Sequence, residues 1–156
     1  VGSEKDLESC IAGELGRAAK SIAVLLEAAR RLTHASTLWE TFEWQRAKRI
    51  IAQSIASCLC RILGCRVYMT DLHGGEPSTG LGDKDIDLII DCPQGPNPSS
   101  LEGVAERLAA GMLRSLLGDS PYRVLGVPNI VEVHEASEFL FKKYLERGAP
   151  YVARLC

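Results

Sequence analysis

Apolar residues recur every three or four positions near the start of the chain: Leu7, Ile11, Leu15, Ala18, Ile22, Leu25, Leu26, Ala29 and Leu32. That spacing puts them on one face of a helix. With the acidic start Ser3-Glu4-Lys5-Asp6, it predicts a helix over 4–32. Thr33-His34-Ala35-Ser36-Thr37 reads as a turn carrying a new N-cap. The period then resumes with Leu38, Phe42, Ile50 or Ile51, Ile55, Leu59 and Ile62, predicting a second helix over 37–63 with Gly64 as its C′ residue. Two long helices joined by a short connection are antiparallel neighbours, so residues 1–63 are expected to form a helical hairpin.

Beyond Gly64 the period shortens to two. Cys65–Leu72 reads as a strand, and so does 85–91, where Ile86, Leu88 and Ile90 alternate with Asp85, Asp87, Ile89 and Asp91. Pro93, Gly95, Pro96 and Pro98 interrupt both kinds of element. Ser99 or Ser100 is the expected cap of a helix running to 117, with Leu101, Val104, Leu108, Met112 and Leu116 inward and Gly118 at its end. Tyr122–Val127 and Asn129–His134 read as strands, and Ser137 as the cap of a last helix to Arg147. The expected fold is α/β in the α+β sense. A small mixed sheet with flanking helices (64–156) follows the N-terminal hairpin (1–63).

The chain of 156 residues is 46% hydrophobic and 24% charged, which supports a packed core and excludes a disordered chain. Eighteen basic residues against 20 acidic ones give a net charge of -2, which argues against coating nucleic acid by bulk charge but not against a local basic patch. No apolar run approaches the roughly 20 residues of a membrane span and no signal peptide is visible, so no membrane partner and a cytoplasmic setting are expected. The six cysteines form no Cys-x-x-Cys pair, so a zinc site is not expected and buried reduced thiols are. No Gly-x-Ser-x-Gly elbow and no Walker A lysine motif are present.

Chemistry concentrates in 72–91. On a strand, Asp85 and Asp87 lie about 6.6 Å apart on one face, close enough for both carboxylates to reach a hard cation. Two adjacent acids resist full ionisation unless positive charge sits between them. The preceding segment 74–83 holds four glycines, whose backbone N–H groups suit an anion cradle. Ser78 and Thr79 offer hydroxyls to a phosphate or shape the loop, and Lys84 offers a positive charge.

Gly74-Gly75, a nine-residue gap and Asp85-Ile86-Asp87-Leu88 resemble the signature of the DNA polymerase β-like nucleotidyltransferase superfamily, nearest to its minimal nucleotidyltransferases. The likeness covers roughly 64–147. It implies transfer of a nucleotidyl group, AMP from ATP most simply, to a hydroxyl acceptor, which is RNA, a protein side chain or a small molecule. It further implies Mg²⁺ (or Mn²⁺) at Asp85, Asp87 and a third acid on a neighbouring strand. Glu132 matches that acid, within the alternation Ile130-Val131-Glu132-Val133-His134. Gly74 and Gly75 would place the phosphates of the nucleoside triphosphate. Minimal members of the family often work with a helical partner. The fused hairpin stands in for one here, or joins two copies as a homodimer. Gly75 stands where the family usually has Ser, and the family's Ala-Arg-Gly is missing. Two further readings therefore accompany the first: a catalytically inactive nucleotide- or RNA-binding module of the same fold, and a helical-hairpin interaction protein.

Overall fold

The computed structural model describes residues 4–32, 41–70, 84–93, 97–147 and 152–156. Over these residues the chain is a mixed α+β fold, in the order α1 (Glu4–Leu32), α2 (Phe42–Leu63), β1 (Arg66–Thr70), β2 (Ile86–Asp91), α3 (Pro98–Leu117), α4 (Pro121–Leu125), β3 (Val131–Glu135), α5 (Phe139–Arg147) and β4 (Ala153–Arg154). The strands form one sheet in the order β3-β2-β1-β4. β1 is antiparallel to β2 and β4, whereas β3 runs parallel to β2 through the α3 crossover.

Local chemistry sets the element ends. Thr41 accepts the Trp44 N–H at 3.1 Å and caps α2. At the other end Gly64 takes φ 67°, and its N–H and that of Cys65 reach back to the carbonyls of Cys60 and Leu59. The cap of α3 is Asn97, whose side chain accepts the Ser99 N–H at 2.9 Å. Ser99 and Ser100, expected as caps, lie inside the first turn, because Pro98 occupies the first helical position, where a missing N–H costs nothing. Proline at the start also overturns the strand expected over Tyr122–Val127. Pro121 opens the short helix α4 and Gly126, at φ 68°, closes it. The hairpin turn expected at 33–37 lies outside the described residues, whereas α2, expected from 37, begins at Phe42, because Thr41 is extended at ψ 148° and spends its hydroxyl on capping the first turn.

Cys10 near the start of α1 is bonded to Cys58 near the end of α2, so the two helices run antiparallel. Their apolar faces do not form a separate core. Leu7, Ile11, Ile22 and Leu26 of α1 share one buried cluster with Ile51, Ile55 and Leu59 of α2, Val67, Met69, Ile86, Leu88 and Ile90 of the sheet, and Leu101, Val104 and Leu113 of α3. The expected inward set Ile86, Leu88 and Ile90 is therefore the face that meets the helices. Arg107 of α3 pairs with Glu8 of α1 at 2.9 Å, and Arg30 of α1 donates to the Leu117 carbonyl ending α3 at 3.1 Å. Among the described residues, the large apolar side chains that α1 and α2 leave exposed are Val24, Leu32 and Phe42.

The cysteines are not free thiols. All six are paired, as Cys10–Cys58, Cys60–Cys156 and Cys65–Cys92. Sheet register explains the third pair: Arg66 faces Asp91, so Cys65 and Cys92 stand opposite each other one step further on. Sequence spacing carries no sign of such pairings, which is why reduced thiols were expected.

β3 is an edge strand, and an edge leaves a row of N–H groups without strand partners. Here each outward N–H meets a carboxylate. Glu106 of α3 accepts from Val131 at 3.0 Å and from Ile130 just before the strand, Glu102 accepts from Val133 at 3.3 Å, and Glu138 accepts from Glu135 at 3.4 Å. Glu102 and Glu106 are one helical turn apart, about 6 Å, which matches the roughly 6.6 Å between alternate strand residues. Glu106 also accepts the Tyr122 hydroxyl at 3.0 Å, so α4 is fixed by the same carboxylate. Burial and then that acceptor hold the Tyr122 hydroxyl above its usual pKa.

Charged hydrogen bonds of this kind are worth about 1.5–3 kcal/mol each. Glu106→Ala is expected to lower unfolding stability by about 2 kcal/mol or more, and Glu102→Ala by about 1 kcal/mol, in urea titrations with the disulfides intact. A loss below about 0.5 kcal/mol for Glu106→Ala would mean that the carboxylate does not hold the edge.

Candidate functional site

The sheet face away from the helices carries the candidate chemistry. Val131 and Val133 sink into the core, so Glu132 and His134 project from the opposite side of β3. Ile130, expected on the Glu132 side, precedes the strand and packs in the core instead. The parallel register sets Asp87 beside Glu132 and Ile89 beside His134, and the antiparallel one sets Thr70 beside Asp87. Glu132, Asp87 and Thr70 thus form one row across three strands.

Ligand atoms of Asp87, Glu132 and His134 all lie within 4.8 Å of one another. His134 Nε2 is 3.2 Å from Asp87 Oδ1 and 3.6 Å from Glu132 Oε2. Asp87 is buried, at 8% exposure, although it is an acid on the face away from the main core. The His134 ring stacks on Phe141 of α5 with centroids 4.2 Å apart and planes 20° apart, and Phe141 meets Tyr144 edge-on at 6.0 Å. α5 therefore backs this face of the sheet and fixes the imidazole.

The electrostatics are those of a crowded acidic site. Burial raises the Glu132 pKa, and the hydrogen bond and charge of Asp87 raise it further, against a smaller opposing pull from His134. Burial pulls the His134 pKa down, but its hydrogen bond with Asp87 and the charges of Asp87, Glu132 and Glu138 outweigh this and hold it above 6.5. A cation between the carboxylates would relieve their repulsion. Metal–ligand bonds near 2.1 Å place neighbouring ligand atoms about 3.0–3.4 Å apart, and the His134 contacts lie close to that range. The three side chains therefore fit a divalent ion.

Of the residues singled out from sequence, Asp87 and Glu132 are brought together. Asp85 lies one residue before β2, half-buried, and is not among the three that converge. Lys84 is held at its backbone, where its carbonyl accepts the Trp44 indole N–H at 3.1 Å from α2. Lys48, one turn beyond Trp44, is fully buried on the same helix. Gly74, Gly75, Ser78 and Thr79 lie outside the described residues. The alternation of β3 had already placed His134 on the Glu132 side. Phe141 and Tyr144 gave no signal of their own beyond helical spacing.

Comparison with protein-family models, with curated proteins and with solved structures finds no match.

The two raised groups give the metal-free protein a defined pH response. An acid raised above 4.5 stabilises the fold below that value and loses the contribution as pH rises through its folded pKa. His134, raised above 6.5, contributes fully below 6.5, and its contribution disappears as pH rises past its folded pKa. Glu132→Gln is expected to melt higher than the parent at neutral pH without divalent ions, with the gain vanishing below 4.5. His134→Asn is expected to flatten the decline above 6.5. Thermal melts across pH in chelator check both signs, and a Glu132→Gln protein that melts lower at neutral pH would contradict the repulsion.

Proposed function

We propose that the chain is a divalent-metal-dependent nucleotidyltransferase that passes a nucleotidyl group, AMP from ATP in the simplest case, to a hydroxyl acceptor. The observation that supports this reading is the β2–β3 register, which sets Asp87 beside Glu132 with their ligand atoms within 4.8 Å. Asp87 matches the second acid of the pattern that 74–88 resembles, and Glu132 the third acid that the resemblance implies on a neighbouring strand. Asp85 stands at the entrance to β2 as the first.

The transfer is an in-line attack: the acceptor oxygen bonds to the α-phosphorus of ATP, and the bond to pyrophosphate breaks. Bound divalent ions would lower the acceptor's pKa and neutralise the leaving pyrophosphate. Glu132, set beside Asp87 by the strand register, would take the acceptor proton. His134 stands beside this pair, its Nε2 3.2 Å from Asp87 Oδ1. Lys84, fixed at its backbone by Trp44, brings positive charge to the phosphates.

Among the described residues no helix is long and apolar enough to cross a membrane. We place the protein in the cytoplasm, where ATP is supplied. Three disulfides are rare in a mesophile's cytoplasm, so this placement applies to a hyperthermophile, and an oxidising compartment is the second reading.

The test is transfer of label from α-labelled ATP to total RNA, to protein and to small hydroxyl acceptors, with pyrophosphate release measured alongside. Asp87→Asn is expected to lower the rate by about 100-fold or more, above the 10–100-fold typical of residues that only support a metal ligand. Tight Mg-ATP binding with no transfer to any acceptor would favour the inactive binding module. Absence of nucleotide binding by calorimetry would leave the helical-hairpin interaction protein.

A further inference from the structure

The carboxylate pair has a third member that the acidic pattern does not require. His134 is on the same strand face as Glu132, two residues away, and its Nε2 points at both Asp87 and Glu132. An imidazole in a ligand set changes which ion that set prefers. Mg²⁺ takes oxygen ligands, demands near-octahedral geometry and gives up water reluctantly. Zn²⁺ and its transition-metal neighbours accept mixed imidazole and carboxylate ligands, and their catalytic sites hold three protein ligands and leave a position open. Asp87, Glu132 and His134 supply three such ligands from two adjacent strands. The contacts of 3.2 Å and 3.6 Å bracket the roughly 3.4 Å between ligand atoms of a tetrahedral site with 2.1 Å bonds.

An imidazole is an effective ligand only if its ring is held in the right plane, which a hydrogen-bond partner usually does. Here the ring lies on Phe141, 4.2 Å between centroids and 20° from parallel, and Phe141 is itself braced edge-on by Tyr144. Rotating the His134 ring away from the carboxylates would break that stack.

We propose that Asp87, Glu132 and His134 form a three-ligand centre that selects a transition-metal dication of the Zn²⁺ and Mn²⁺ class over Mg²⁺, with Phe141 as the positioning residue that aims His134. This rests on the reading of Asp87 and Glu132 as the metal pair, and it assigns the identity of the ion the protein itself holds.

The experiment uses the full chain with its disulfides intact. Binding of Zn²⁺, Mn²⁺ and Mg²⁺ is measured by calorimetry, Co²⁺ serves as an optical probe, and pulsed EPR of bound Mn²⁺ reports a directly coordinated nitrogen. The parent is expected to bind one Zn²⁺ or Mn²⁺ per chain at least about tenfold more tightly than Mg²⁺, and to show the nitrogen signal. His134→Gln is expected to lose about 10–100-fold in transition-metal affinity together with the nitrogen signal, while Mg²⁺ affinity stays within about twofold. Phe141→Ala is expected to lose about tenfold with the same selectivity, and Phe141→Trp to recover most of it.

Mg²⁺ binding as tight as Zn²⁺ and Mn²⁺, or a His134→Gln protein with unchanged metal preference, would overturn the selectivity while leaving Mg²⁺-supported nucleotidyl transfer standing on its own assay. Failure of the parent to bind any of these ions would overturn this inference and the metal pair together. A selective site that Phe141→Ala leaves unchanged would overturn the positioning role. Should Phe141→Ala fail to fold by circular dichroism, the milder Phe141→Leu takes its place, and unchanged selectivity in that variant counts against the role in the same way.

Discussion

One register, that of β3 against β2, is the constraint on which the rest of the structure depends. A strand pairs stably with its neighbour in any register that buries apolar side chains, and a slip of one residue turns every side chain to the other face. In this chain the slip would send Glu132 and His134 into the core and Val131 and Val133 out of it. The apolar pattern resists that on one side. On the other, Glu102 and Glu106 grip the outward N–H groups of Val133 and Val131 at a spacing set by one helical turn. α3 is thus both the crossover that makes a parallel pairing possible and the ruler that fixes its register.

The glutamates that hold the strand also shape the field at its other face. The charge of Glu102 adds to the rise of the Glu132 pKa, and that of Glu138 to the rise at His134. Edge protection and cation attraction therefore come from overlapping sets of residues. A fold selected for stability alone would not stack buried Asp87 beside half-buried Glu132, because like charges side by side are unfavourable. That a local rule of stability is broken where the carboxylates converge is what a functional site predicts.

Much of this was legible in the sequence because it follows from periodicity. The hairpin helices, the inward face of β2, and Glu132 on the outer side of β3 all come from spacings of three to four or of two. Where the reading failed, another force decided. Pro121 and Gly126 made a capped helical turn out of Tyr122–Val127, although its residues favour a strand. The disulfides depend on which distant residues the fold brings together, which no linear pattern states. β4 is only two residues long and exists because β1 offers it an edge, so it had no pattern of its own to read. The stacking of His134 on Phe141 likewise needs the docking of α5, a tertiary event. Conversely, the acid pair expected from Asp85 and Asp87 along one strand is joined in space by a pair across strands, Asp87 and Glu132.

The disulfides divide the chain in a particular way. Cys10–Cys58 closes one ring and Cys60–Cys156 closes the next, with Cys65–Cys92 nested inside the second. Every peptide bond from Cys10 to Cys156 lies inside a ring except the two that flank Leu59. A protease that cuts once within a ring opens it but releases no fragment, because the two new ends stay joined through sulfur. Within that span, the two bonds whose cleavage would part the molecule sit near the C-terminal end of α2, beside a side chain only 1% exposed. The backbone is thus covalently tolerant of a single break wherever a break inside the rings can occur, and the junction between the rings is guarded by burial rather than by a bond.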